Sequence, residues 1–110
     1  MATTEETIRR QLSENPIILY MKGTPETPQC GFSARAVLAL TRTGVPFASV
    51  DVLADPFIRE KLPKVSQWPT FPQLFVRGAL VGGSDIVAEM AQAGELQPLL
   101  AAAVTQPPKG

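Results

Sequence analysis

At 110 residues the chain has the length of one domain, enough to bury a core without disulfide or metal staples. Ten acidic residues balance ten basic ones with no basic stripe, which argues against nucleic acid or an anionic membrane as the main partner. No apolar run approaches the roughly 18 residues of a membrane span. Histidine is absent, which removes His-based general-base catalysis and His-ligated metal together.

In chain order, Thr3-x-x-Glu6 has capping-box spacing and Ile8 and Leu12 lie one turn apart, predicting a helix from about Thr4 to Glu14 that Asn15-Pro16 ends. Ile17-Ile18-Leu19-Tyr20-Met21 is a continuous apolar run of strand length, as expected of a central strand covered on both faces. Lys22 to Pro28 is a loop by composition. From about Gly31 to Thr43, Phe32, Ala36, Val37 and Leu40 recur at helical spacing, with Gly44 placed as a C′ glycine. Phe47 to Val52 alternates roughly as a second strand. Asp55-Pro56 then reads as an N-cap followed by proline at the first helical position, opening a short helix through about Leu62.

Trp68-Pro69-Thr70-Phe71-Pro72 is a proline-flanked connector. Gln73 to Val76 and Ala79 to Gly82 flank Arg77-Gly78 as a hairpin. Ser84 or Asp85 is expected to cap a helix carrying Ile86, Val87 and Met90, and Glu95 to Val104 gives a last helical piece. The expected organisation is one domain over 1–104 and a flexible tail over 105–110. The order α-β-α-β-α-β-β-α, with one further helix, predicts an α/β fold: a four-stranded mixed sheet with helices on both faces.

Cys30 is the single cysteine. It cannot form an internal disulfide, which fits a reducing compartment, and the N-terminus shows neither a secretory signal nor a transit peptide. The expected location is therefore cytoplasmic. The sulfur sits where a proline-rich loop gives way to a helix, and unpaired N–H groups there favour a thiolate. A small buried hydrophobe is the alternative fate of a lone cysteine. The neighbours Pro28, Gln29, Gly31 and Ser33 are loop and cap residues, which favours a functional thiol. With Ser33 three residues on, any disulfide made by Cys30 must be with another molecule, and an outside thiol must resolve it.

Four segments in this order and spacing carry a resemblance: Lys22-Gly23-Thr24-Pro25, Pro28-Gln29-Cys30-Gly31-Phe32-Ser33, Trp68 to Leu74, and Gly82-Gly83-Ser84-Asp85-Ile86. The chain resembles a monothiol glutaredoxin of the Cys-Gly-Phe-Ser class from about Glu5 to Val104. That resemblance implies a thioredoxin fold with Pro72 in the cis form, and glutathione as ligand. Phe71 would offer its backbone to the ligand, with Thr70 lining the middle. Lys22 and Arg59 would pair with the glycine carboxylate. Gly83, Ser84 and Asp85, at a helix start, would hold the γ-glutamyl end. Trp68 reads as packing.

A [2Fe–2S] cluster takes four thiolates and one subunit offers one. The resemblance implies a cluster bridging a homodimer through Cys30 and one glutathione from each subunit. The chain is thus expected to carry clusters to apo iron–sulfur recipient proteins, with a BolA-type protein able to replace one subunit. The alternative is a glutathione-dependent thiol–disulfide oxidoreductase that removes glutathione from proteins with Cys30 as nucleophile. Many relatives carry a second cysteine where this chain has Ser84, so a resolving disulfide at that position is absent here.

Overall fold

The structure is a computed structural model describing residues 2–105. Its elements are α1 (Thr4–Glu14), β1 (Ile17–Met21), α2 (Gly31–Arg42), β2 (Ala48–Asp51), α3 (Pro56–Ser66), β3 (Gln73–Val76), β4 (Ala79–Gly82), α4 (Ser84–Gln92) and α5 (Leu96–Thr105). The strands form one sheet in the order β2-β1-β3-β4. Strand β1 pairs parallel with β2 and antiparallel with β3, and the hairpin adds β4 antiparallel to β3. This is the mixed α/β sheet of the thioredoxin fold.

The apolar run of β1 is buried at all its positions because both faces are covered. Ile17, Leu19 and Met21 face a cluster with Ala36, Val37 and Leu40 of α2, Val87 of α4 and Leu96 and Leu100 of α5. Ile18 and Tyr20 face the other side, with Ile8 of α1 and Ile58 and Leu62 of α3. Successive strand side chains point to opposite faces, so one five-residue segment supplies core side chains to both layers. Tyr20 meets Phe75 edge-on at 5.7 Å, and its hydroxyl donates to Gln11 Oε1 at 2.9 Å. Burial raises its phenol pKa far above the usual range.

Some boundaries differ from expectation. Helix α3 does not stop at Leu62 but runs to Ser66 with Pro63 inside it. Pro63 removes the N–H that would bond the Arg59 carbonyl, yet buried Leu62 keeps the helix on the sheet. Gln67 in the left-handed region (φ 57) ends it. Strand β2 covers only Ala48 to Asp51, while Phe47 packs against the core and Val52 N–H donates to Met21 O at 2.9 Å. Of the expected tail, Thr105 closes α5, and residues 106–110 lie outside the described residues. Among the described residues no helix is long and apolar enough to cross a membrane.

Candidate functional site

Cys30 is the N-cap of α2, with extended backbone (φ −152, ψ 137) and no side-chain cap hydrogen bond. The thiol is partly exposed. Its pKa is held below the usual thiol range. The Ser33 N–H is the largest cause, partial burial opposes it, and the Phe32 N–H, the Lys22 charge and the Ser33 hydroxyl add to the lowering. No N–H···S contact closes as a cap hydrogen bond, so the first-turn N–H groups act on the sulfur as oriented dipoles.

Ser33 does more than exclude a second cysteine. It is fully buried, and its Oγ accepts the Lys22 N–H at 3.1 Å, tying the first turn of α2 to the end of β1. That leaves the hydroxyl proton able to point toward Cys30. The Lys22-to-Gln29 loop is closed rather than loose. Gly23 bridges Pro28, Gln29 N–H donates to Lys22 O at 2.9 Å, and Gly23 N–H donates to Asp51 Oδ1 at 2.9 Å. Gly23 has φ +92, and a Cβ there would stand 2.5 Å from the Thr27 carbonyl oxygen. Only glycine satisfies both conditions.

The facing wall is the Trp68-to-Pro72 connector, with a cis Phe71–Pro72 peptide as the resemblance implied. Gln73, fully buried, donates through Nε2 to Trp68 O at 2.8 Å and Thr70 O at 3.2 Å, which fixes the connector's path. Among the described residues no hydrogen bond engages the Phe71 N–H or C=O. The start of α4 lies beside it. Here the expectation needs correcting: neither Ser84 nor Asp85 caps α4. Gly83 is the N-cap and Ser84 the first helical residue. Ser84 is buried with its Oγ unpartnered, so the hydroxyl is not turned back onto the backbone. A Cβ at Gly83 would lie 3.3 Å from both Pro72 O and Trp68 Nε1, so a glycine there lets the connector and α4 approach closely.

These walls enclose a groove of about 710 Å³, a volume in the range of small-molecule sites. Cys30, Lys22, Arg59, Thr70, Phe71, Pro72, Gly83, Ser84 and Asp85 all line it, so residues from five separate parts of the sequence meet in one place. Trp68 also lines the groove, and its indole N–H is buried without a partner. Lys22 and Arg59 supply the positive charge and Asp85 the negative. Among the described residues no group of three or more His, Cys, Asp or Glu side chains is placed to hold a metal.

Sequence reasoning missed the residues that build the site from behind. Ser33 falls at helical spacing with buried Ala36, Val37 and Leu40, a signal that it points inward. Asp51 was not foreseen either: its Oδ1 accepts the Leu53 N–H two residues on at 2.9 Å, and also the Gly23 N–H at 2.9 Å, which the parallel pairing of β1 and β2 brings alongside. Arg35, whose Nη1 bonds Asp85 Oδ1 at 3.1 Å, was also unforeseen.

A mixed sheet bearing a single thiol at an open helix start, beside a cis-proline connector, defines a thiol-bearing protein of the thioredoxin fold. Residues 17–81 match the glutaredoxin family model. The chain is 63% identical over 100 residues to Glutaredoxin 4 of Escherichia coli (strain K12), covering 91% of this chain and 87% of that protein. It is 56% identical over 103 residues to Glutaredoxin 4 of Haemophilus ducreyi, covering 94% and 96%. The solution structure of reduced apo poplar GrxS14 superposes with TM-score 0.79 at 39% identity, covering 93% of this chain and 94% of that one. The chain belongs to the glutaredoxin family, and with Cys30 as its lone cysteine it is a monothiol member.

Proposed function

We propose that the protein binds glutathione in the Cys30 groove and carries [2Fe–2S] clusters as cargo between iron–sulfur proteins. The observation that supports this best is the ligand count. The chain has one thiol and no histidine, and its thiol is activated at the edge of a peptide-sized groove. Four thiolates are needed for the cluster. Cys30 from each of two subunits and one glutathione held by each complete the set. A site in which half the ligands are exchangeable small molecules suits delivery rather than storage.

In this reading Lys22 and Arg59 pair with the glycine carboxylate, and Lys22 also stabilises the Cys30 thiolate. The free N–H and C=O of Phe71 take the peptide backbone by strand addition beside Pro72, with Thr70 at the rim. The open N-terminus of α4 at Gly83 and Ser84 receives the γ-glutamyl carboxylate, and Asp85 receives its ammonium. Apo iron–sulfur proteins are the recipients, and a BolA-type protein is a partner that replaces one subunit. The setting is a reducing cytoplasm, where both thiols stay available.

The lowered Cys30 pKa favours one second reading, a glutathione-dependent oxidoreductase. The Cys30 thiolate attacks the glutathione sulfur of a protein mixed disulfide, the S–S bond breaks, and the protein leaves as thiolate. A second glutathione thiolate then attacks the Cys30–glutathione disulfide, regenerating Cys30 and releasing glutathione disulfide.

Anaerobic reconstitution with iron, sulfide and glutathione separates the two. A coloured dimer that fails to form with Cys30→Ser, or without glutathione, is the expected result. Colour persisting in Cys30→Ser refutes the ligation. Rapid turnover of a glutathionylated protein with no cluster formation makes the enzyme reading the primary one.

A further inference from the structure

Asp85 meets the proposed ligand with a cation already attached. Its Oδ1 accepts from Arg35 Nη1 at 3.1 Å, and the two side chains are 80% and 56% exposed respectively. Asp85 lines the groove but Arg35 does not. Arg35 belongs instead to a separate depression between α2 and α4, with Leu38, Arg42, Ala88 and Ala91. The guanidinium therefore reaches the carboxylate from outside the groove, while the carboxylate itself remains part of the groove wall.

We propose that Arg35 is a specificity-determining residue. It competes with the ligand's γ-glutamyl ammonium for Asp85 and so weakens the site's preference for a free amino end. The inference rests on the reading above, in which Asp85 receives that ammonium. Its physical basis is simple. A carboxylate that already accepts a charge-assisted hydrogen bond offers less to a second cation, and the two cations repel each other. The pair is solvent-exposed, so its effect is modest and falls as salt screens it.

The test measures glutathione and N-acetylglutathione, in which the ammonium is replaced by a neutral amide, by calorimetric titration at low salt. The informative quantity is the ratio of the two affinities, glutathione over N-acetylglutathione. It is read in Arg35→Gln and again in the double variant Arg35→Gln/Asp85→Asn, because the acetylated ligand carries one more net negative charge and a general pull of Arg35 also shifts the ratio. A rise of equal size in the double variant, against Asp85→Asn alone, is general attraction and overturns the competition. The proteins are the native chain, Arg35→Gln, Asp85→Asn and the double variant, each checked for an unchanged melting profile. Arg35→Gln is expected to raise the ratio about 2- to 5-fold, and the gain shrinks in high salt. A ratio that is unchanged or lower in Arg35→Gln overturns the competition. Asp85→Asn tells the two failures apart. If it collapses the native ratio while Arg35→Gln changes nothing, only the role of Arg35 falls. If Asp85→Asn leaves the ratio intact, the ammonium does not sit on Asp85, and both the reading and the inference fall.

Discussion

Helices α1 and α3 close their own N-termini, whereas α2 and α4 leave theirs open. Thr3 Oγ1 accepts the Glu6 N–H at 3.1 Å and completes a capping box with the Glu6 side chain. Asp55 Oδ1 accepts the Ile58 N–H at 3.2 Å, and Pro56 removes one further donor at the start of α3. At α2 and α4 the caps are Cys30 and Gly83, and neither makes a side-chain cap bond. Both open ends face the groove. A helix start carries unmet N–H donors and partial positive charge. Where an oxygen from the chain supplies the acceptor, the end is structural. Where it does not, the end remains available to a thiolate or a ligand carboxylate.

The sharpest way to break this contrast is to close α2. Cys30→Ser installs a good capping oxygen in place of sulfur. It should abolish glutathione mixed-disulfide formation, read by mass spectrometry, while leaving stability equal or raising it by about 0.5–1 kcal/mol in urea unfolding. A clear loss of stability would mean that the sulfur itself supports the fold. Next in size is Ser33→Ala, which strips the acceptor from the Lys22 N–H. The expected cost is about 1–3 kcal/mol, together with a rise in the Cys30 pKa followed by iodoacetamide kinetics. Stability lost with no change in reactivity would separate Ser33 from the thiol.

At a closed end the outcome should be purely structural. Asp55→Ala is expected to lower stability by about 1 kcal/mol and to leave the alkylation profile of Cys30 where it was. The smallest expected effect is a pH slope. Because the folded thiol titrates below its unfolded value, thiolate stabilisation is fully present above the unfolded pKa. It is lost as pH falls through the folded pKa. The native protein should show that slope in its stability against Cys30→Ser, and its alkylation rate should rise at a pH below the usual thiol range. A midpoint within the ordinary range would remove the activated thiol from the argument.

The architecture was largely legible because its signals are local. Thr3-x-x-Glu6, the apolar run of β1, Asp55-Pro56 and the Arg77-Gly78 turn each encode an element through neighbouring residues alone. The errors arose where a local rule met a tertiary one. The expected end at about Leu62 falls just before Pro63, yet packing of Leu62 on the sheet carries α3 past that proline to Ser66. Ser84 reads as a cap, yet close approach of Gly83 to Pro72 and Trp68 moves the helix start and buries the hydroxyl.

For this protein the sequence by itself determined the order of elements and the lone thiol, since composition and short-range spacing express those directly, while the residues expected around that thiol came from the resemblance of four segments to the glutaredoxins. The tertiary structure alone decided what stands behind them. Asp51 holds Gly23 across the parallel pairing of β1 and β2, and Gln73 reaches back to the connector from a buried strand position. Arg35 reaches Asp85 across 50 residues of sequence. Such contacts depend on which chain segments the two-faced sheet brings together, and no local pattern of residues records that.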